Sequence, residues 1–330
     1  MTQITVGTFN VENLFLRYMP LNDPNSQTKN PKFDPDNMTV NSFKRVIDEM
    51  GPIGDALRKF TGQVIDAGAA DILAVQEVEN LEALDQFNRH HIKKPYPYLL
   101  VLDGNDPRQI DVGILSRFDL FKIRTHRFEP KGAAPTRRIF ARDCLEISLE
   151  PAPGKLLTLY INHFTSKLPK KDAKTGEIHH GETRRLQQSK RLSEILRANH
   201  GPNLVGDWIV MGDLNAAPNE SELAELMNTG AVNLVGKLTN PNERWTHFFD
   251  RAPKTQSPIE QLDYLLISPE LAAKNMNAVP AIERRGLSDK IVTRINAAVP
   301  TFGPKITGNF TKGAKGEASD HCGVFVSLTL

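Results

Sequence analysis

Trp208-Ile209-Val210-Met211-Gly212-Asp213-Leu214-Asn215 is the stretch that decides the fold. Its opening run is wholly apolar, so a strand here is covered on both faces, as strands are inside α/β layers. The run then ends on polar groups, Asp213 and Asn215. The pattern recurs along the chain. Ile4–Phe9 leads into Asn10, Glu12 and Asn13, Asp71–Val75 into Gln76 and Glu77, and Leu156–Ile161 into Asn162 and His163. Asp111–Leu115, Gln261–Ile267 and Gly323–Leu328 are further expected strands. Amphipathic stretches predict helices over Phe43–Ala67, Leu81–Arg89, Glu182–Ala198 and Glu220–Met227. Strands alternating with helices predict an α/β fold, and strand ends gathered on one side are where such a fold assembles a site. Tyr18–Asn41 and Lys167–Gly181 are expected as long loops. No Pro/Gly/Ser linker divides the chain, so residues 1–330 are expected to form one domain.

Composition narrows the function classes. The chain has 330 residues, 39% of them hydrophobic and 24% charged, which supplies a core and excludes a disordered, collagenous or coiled-coil protein. No apolar run reaches the length of a membrane span. The N-terminal stretch Met1–Phe15 lacks a basic region followed by an apolar one, so no signal peptide is visible. A cytoplasmic location is expected, with secretion of a processed form left open. Cys144 and Cys322 build neither a disulfide framework nor a metal-site spacing, and a reducing compartment is the default. Net charge is +2, but it is unevenly spread. Residues 117–198 hold eighteen Lys and Arg against nine Asp and Glu, while the rest of the chain is net acidic. A basic middle beside acidic flanks suits a polyanionic substrate approaching carboxylates that hold a metal. It equally suits solvated surface charge.

The residue types at the strand ends share one chemistry. Carboxylates and amide oxygens are hard ligands for Mg2+, Mn2+ or Ca2+. His163 and His321 can handle protons near neutral pH. Together they fit metal-assisted phosphoryl transfer to water. Taken singly, each has an ordinary structural reading. Asn10 could form a turn, Glu77 could start a helix, Asp213 and Asn215 could cap one, and the histidines could be satisfied core residues. Asp263 is the exception, because a carboxylate inside an apolar strand needs a partner.

Set in order, Asn10 in TFNVENLF, Glu77 in VQEVEN, His163 in INHFTSK, Asp213 and Asn215 in GDLNAAP, Asp263 in QLDYLLIS and Asp320-His321 in ASDHCG resemble the endonuclease/exonuclease/phosphatase superfamily. That group includes deoxyribonuclease I, repair nucleases, neutral sphingomyelinases and inositol polyphosphate 5-phosphatases. The resemblance implies a four-layer α/β sandwich, two packed mixed β-sheets flanked by helices. It also implies roles. Glu77 would be the principal metal ligand, helped by Asn10, with Glu12 and Asp320 nearby. Asp213 and Asn215 would align the attacking water and hold the phosphate. Asp263 would hydrogen-bond His321. His163 would stabilise charge on the phosphate or protonate the leaving oxygen, and the division of acid and base between the histidines stays open. Gln261-Leu262-Asp263-Tyr264 departs from the inositol phosphatase motif. Gln76-Glu77-Val78-Glu79 and His163 depart from the repair-nuclease pattern. The motifs look more like bacterial nuclease-like members.

Four further residues are weaker candidates for binding substrate phosphate. Arg108 is placed to reach a phosphate bidentately, and Asp111 could orient His163. Arg184 and Arg185 open a helix and could contact phosphates, or lie on its solvated face. The expectation is a Mg2+-dependent phosphodiester hydrolase, a nuclease acting on DNA or RNA, working as a monomer. A phosphatase or phospholipase on a small or lipid phosphoester is one alternative. A non-catalytic phosphate-binding module is another.

Overall fold

The computed structural model describes residues 2–20, 43–46, 55–106, 108–132, 134–171, 178–250 and 257–330. Two six-stranded sheets dominate it. One runs, edge to edge, Ala281–Glu283, Gly323–Thr329, Gln3–Leu14, Ile72–Val78, Asp111–Ser116, Tyr98–Leu102. The other runs Val232–Asn233, Asp263–Ile267, Trp208–Asp213, Lys155–His163, Cys144–Ala152, Leu120–Thr125. Each sheet is antiparallel except for one central parallel pair: Gln3–Leu14 with Ile72–Val78, and Lys155–His163 with Trp208–Asp213. The sheets are therefore mixed, as expected, and follow the same pattern.

Alternation explains why the central strands are apolar throughout. Ile209 and Met211 pack between the sheets with Val6, Ile72, Ala74, Leu159 and Val324. Trp208 and Val210 face the other way, against Leu192, Ile195 and Leu196 of the Glu182–His200 helix. On the far side, Leu73 and Val75 meet Val64 and Ile65 of the Asp55–Gly68 helix and Leu84 and Phe87 of the Leu81–His91 helix. Helix, sheet, sheet, helix is the expected four-layer sandwich. Each buried Leu, Ile, Val or Phe side chain contributes about 1.5–3 kcal/mol to holding it.

All seven expected strands form, as do the helices at Leu81–His91 and Glu182–His200. Four expectations need correction. Of the helix expected over Phe43–Ala67, the described part is Asp55–Gly68, Phe43–Val46 is instead a strand paired with Arg17–Pro20, and residues 47–54 lie outside those described. Gly51, Pro52 and Gly54 precede Asp55 in the sequence, and such residues disfavour a helix interior. Arg17–Pro20 likewise replaces the start of the expected Tyr18–Asn41 loop, whose residues 21–41 lie outside those described. The expected Glu220–Met227 helix is a 3-10 turn, Ser221–Leu223, followed by one α-turn, Ala224–Met227. Within the Lys167–Gly181 loop, Lys170–Lys171 pairs with Ile178–His179, and residues 172–177 lie outside those described.

Topology positions the site. Each parallel pair brings two strand ends to the same edge, so Asn10 pairs beside Gln76, and His163 sits opposite Asp213. Antiparallel pairing then sets Asp263, which starts its strand, opposite Asp213. Gly212 allows the close approach within this sheet. Its φ is +129°, and a Cβ there would lie 1.9 Å from the Asn162 carbonyl oxygen.

Candidate active site

Six of the expected residues converge where the two sheets meet. Asp213 is the hub and is almost wholly buried. Its Oδ1 accepts from the Asn215 backbone N–H at 2.8 Å. Its Oδ2 accepts from Asn215 Nδ2 at 2.9 Å and, across the sandwich, from Asn10 Nδ2 at 3.2 Å. His163 Nε2 lies 3.4 Å from that oxygen and His321 Nε2 3.8 Å. Asp263, fully buried, binds His321 Nδ1 at 2.8 Å. Thr246 Oγ1 accepts from the backbone N–H groups of Leu262 and Asp263, which fixes where that strand starts. Ser319 Oγ donates to the Asn10 carbonyl and accepts from the His321 N–H, tying the Asp320-His321 turn to the first strand.

A second group forms around Glu77. Its Oε2 accepts from the Asn13 N–H at 3.1 Å, and its Oε1 lies 3.9 Å from His163 Nε2. Glu12 accepts from the Asp320 N–H at 3.2 Å, and the Glu12 N–H donates to Asn10 Oδ1. Glu12, Asn13, Glu77 and Asn215 all have positive φ, between +47° and +67°. Non-glycine residues adopt this region uncommonly, and it concentrates where function demands it. Arg58, buried beneath, donates to the Val11 and Asn13 carbonyls and holds this turn.

Electrostatics divides the site into two halves. Burial first, then the charges of Asp320, Glu317 and Glu77, push the Glu12 carboxyl up to about 9. Glu77 is raised by burial and then by Asp320, and Glu317 by burial with Asp320 also contributing. The hard oxygen donors of Glu12, Glu77, Asn10 and Asp320 fit a hard divalent metal, and the mutual repulsion that, after burial, raises Glu12 and Glu77 is what a cation there would relieve. Asp320 differs. Burial alone would raise it, but the hydrogen bond from His247 and the charge of His321 bring it to about 2. In the other half, burial opposes charge on His321, yet Asp263 and Asp213 outweigh it and hold the imidazole well above its ordinary value. Burial, and after it Arg142 and His321, hold His163 well below its ordinary value. Burial raises Asp213 to about 6, with His321 opposing.

Carboxylate and imidazole atoms gather most tightly around His321. Asp213, Asp263 and His321 form one compact cluster, and His247, Asp320 and His321 another, each within 4.8 Å. Of the four expected metal ligands only Asp320 belongs to these clusters. Glu77, Asn10 and Glu12 stand beside them through the hydrogen bonds and charges above.

The phosphate-binding candidates separate. Arg108 is half exposed and forms an ion pair with Asp106 at 3.2 Å. Asp111 does not orient His163. Its Oδ1 accepts from the Gly104 N–H at 2.7 Å, and burial raises it to about 7. Arg184 donates to the Ile139 and Arg138 carbonyls, which ties its helix to the neighbouring hairpin. Arg185 is inside the protein, paired with Glu222 at 2.8 Å and bonded to the Thr165 and His180 carbonyls, so its charge is taken up by the fold rather than presented to a substrate.

Sequence reasoning missed Arg142 and His247. Arg142 is buried, forms an ion pair with Asp106 Oδ2 at 3.0 Å and donates to the Phe164 carbonyl beside His163. His247 Nε2 lies 3.4 Å from Asp320, and its ring sits 4.6 Å from that of His321. His247 follows no apolar run, and Arg142 follows only the short Ile139-Phe140-Ala141, which was not expected as a strand.

Sheet order and the meeting of four strand ends place the molecule among the deoxyribonuclease I-like α/β sandwiches. The sequence agrees: this chain belongs to the Endonuclease/Exonuclease/phosphatase family, whose model matches residues 7–321. Solved structures share the fold. TDP2 from Caenorhabditis elegans has a TM-score of 0.57 at 14% identity, over 99% of this chain and 75% of that one. A family protein from Leptotrichia buccalis has a TM-score of 0.55 at 15% identity, over 99% and 100%. One from Bacteroides thetaiotaomicron has a TM-score of 0.56 at 14% identity, over 99% and 97%. No curated protein matches the chain. Among the described residues, no helix is long and apolar enough to cross a membrane.

Proposed function

We propose that this chain is a metal-dependent phosphodiester hydrolase of the nuclease type, acting as one domain over residues 1–330. The observation that carries the reading is the 3.2 Å hydrogen bond from Asn10 to Asp213, which joins the carboxylate half of the site to the histidine half across two sheets. Glu77, Asn10, Glu12 and Asp320 would hold Mg2+, or Mn2+ or Ca2+ in its place. Bound there, the cation supplies Lewis-acid stabilisation of charge on the phosphoryl and leaving oxygens.

The chain's own groups do the rest. Asp213, raised to about 6, is ionised at neutral pH and suited to accept a proton from water. Asn215 and Asn10 hold its oxygens in place. His321 carries its proton, kept there by Asp263, and offers a charged donor to a non-bridging phosphoryl oxygen. His163 is neutral and presents Nε2 to the same space. Proton acceptance therefore falls to Asp213 and charge stabilisation to His321. The basic middle of the chain supports a polyanionic substrate over a small one.

The test is a substrate panel of bis(p-nitrophenyl) phosphate, plasmid and single-stranded DNA, RNA, nucleotides and phospholipids, with added Mg2+ or Mn2+ and with EDTA. Metal-dependent cleavage of the small diester and of nucleic acid is expected. Cleavage confined to monoesters or phospholipids would replace nuclease by phosphatase or phospholipase. No turnover on any substrate would leave a phosphate-binding module.

A further inference from the structure

Away from the catalytic cluster, the hairpin Pro130–Arg138 and the turn before it carry an unusual surface group. Phe128 is 55% exposed and joins none of the packed apolar clusters. Two guanidinium groups flank its ring, Arg127 at 4.6 Å and Arg138 at 5.7 Å from the centroid. Both arginines are anchored by carbonyls. Arg127 donates to the Asp103 carbonyl and Arg138 to that of Phe128. Among the described residues neither forms an ion pair with a carboxylate, so both charges remain to attract an anion.

A chain of hydrogen bonds joins this group to the active site. Arg142 donates to the Phe164 carbonyl beside His163. Three residues before Arg142, a span of at most about 11 Å, the Ile139 N–H donates to the carbonyl of Glu129, the residue after Phe128. Asn105 Nδ2 donates to the Arg127 and Phe140 carbonyls and locks the two segments together. Arg184 adds the helix behind them through the Arg138 and Ile139 carbonyls. These hydrogen bonds tie the backbone that carries Phe128 to the segment that carries Arg142.

We propose that Phe128, with Arg127 and Arg138, is a nucleobase-stacking subsite for single-stranded nucleic acid that also reaches the active site. An exposed ring beside two guanidiniums that have no carboxylate partner among the described residues matches what such a strand offers, a flat base next to phosphates. A small phosphoester bound at Asp213 has no base to place there. The subsite rests on the nuclease reading above and deepens it by naming the substrate class.

Binding of a fluorescent single-stranded oligonucleotide is measured by anisotropy in EDTA, with an abasic oligomer of equal length as control. Phe128→Ala weakens the oligonucleotide about tenfold, the scale of one stacked base, and leaves the abasic oligomer unchanged. Phe128→Trp restores affinity, and its emission is quenched on binding. Turnover of bis(p-nitrophenyl) phosphate with Mg2+ is the same in wild type and both variants. The subsite is overturned if wild type binds no oligonucleotide, if Phe128→Ala binds it as wild type does, or if the abasic oligomer weakens equally. That last result marks a surface for polyanions or acidic protein segments. Intact diester turnover with no Phe128 effect removes the subsite and spares the hydrolase. Absent diester turnover with a Phe128-dependent affinity removes the hydrolase and spares the subsite.

Discussion

Asp213 shows how little freedom one carboxylate can have. Two amide groups and one backbone N–H fix its oxygens, and two imidazoles stand within 4 Å. Its partner across the site, His321, is held well above its ordinary value, against burial, chiefly by the negative charge of Asp263. Asp263→Asn keeps the shape and removes that charge, so the His321 pKa falls. The alkaline limb of the pH–rate profile should move to lower pH, and the rate should drop on the order of a hundredfold. Measured profiles of wild type and variant decide this, and an unmoved alkaline limb would make the pair structural. A second residue-scale test concerns Asp106 and Arg142. Burial raises Asp106, but the charge of Arg142 and the contacts of Arg108 win and hold it below 3.8. A lowered carboxylate contributes stability above its unfolded pKa and loses it as pH falls through the folded one. Asp106→Asn should cost about 3 kcal/mol at neutral pH, because it leaves the buried Arg142 poorly compensated. The difference from wild type should shrink below about pH 4. Urea melts at pH 7 and pH 3 check both parts.

At the scale of elements, the strand ends were legible and the bridges between them were not. An apolar run ending on Asp, Asn, Glu or His is a local signal, and it found Asn10, Glu77, His163 and Asp213, while Asp263 stood out as a carboxylate inside an apolar strand. His247 reaches Asp320 and Arg142 reaches Phe164 through tertiary contacts that leave no periodic trace in the sequence. The edge strand Leu120–Thr125 escaped for a related reason. It is largely exposed, so its composition is mixed. Arg185 misled in the opposite sense: position in a basic stretch suggested surface, yet its pairing with Glu222 lies inside. The parallel pair Lys155–His163 and Trp208–Asp213 also depends on Gly212. Gly212→Ala would force a Cβ into the Asn162 carbonyl and impose a strained φ. We expect it to destabilise the protein by about 3 kcal/mol or more, or to prevent folding. A denaturation midpoint equal to wild type would contradict this placement of the strands.

The whole molecule is two sheets that share one edge-on site. Neither sheet contains it alone: Asn10, Glu77 and His321 come from the first or its flank, and His163, Asp213 and Asp263 from the second. The proposed chemistry would therefore need both sheets in place, and the core between them supports the 3.2 Å contact of Asn10 with Asp213. The family-level architecture followed from ordered motifs spanning most of the chain, while substrate choice lies in connecting segments that local patterns do not specify. The central claim is that the carboxylate half holds a catalytic cation. It is tested most directly by titrating Mg2+ into wild type and Glu77→Gln while following bis(p-nitrophenyl) phosphate turnover, with thermal melts to show that both are folded. Wild type should be inactive in EDTA and saturate with Mg2+, and the folded variant should lose at least a hundredfold in turnover or require far more metal. Equal activity and equal Mg2+ dependence in the two proteins would contradict the account.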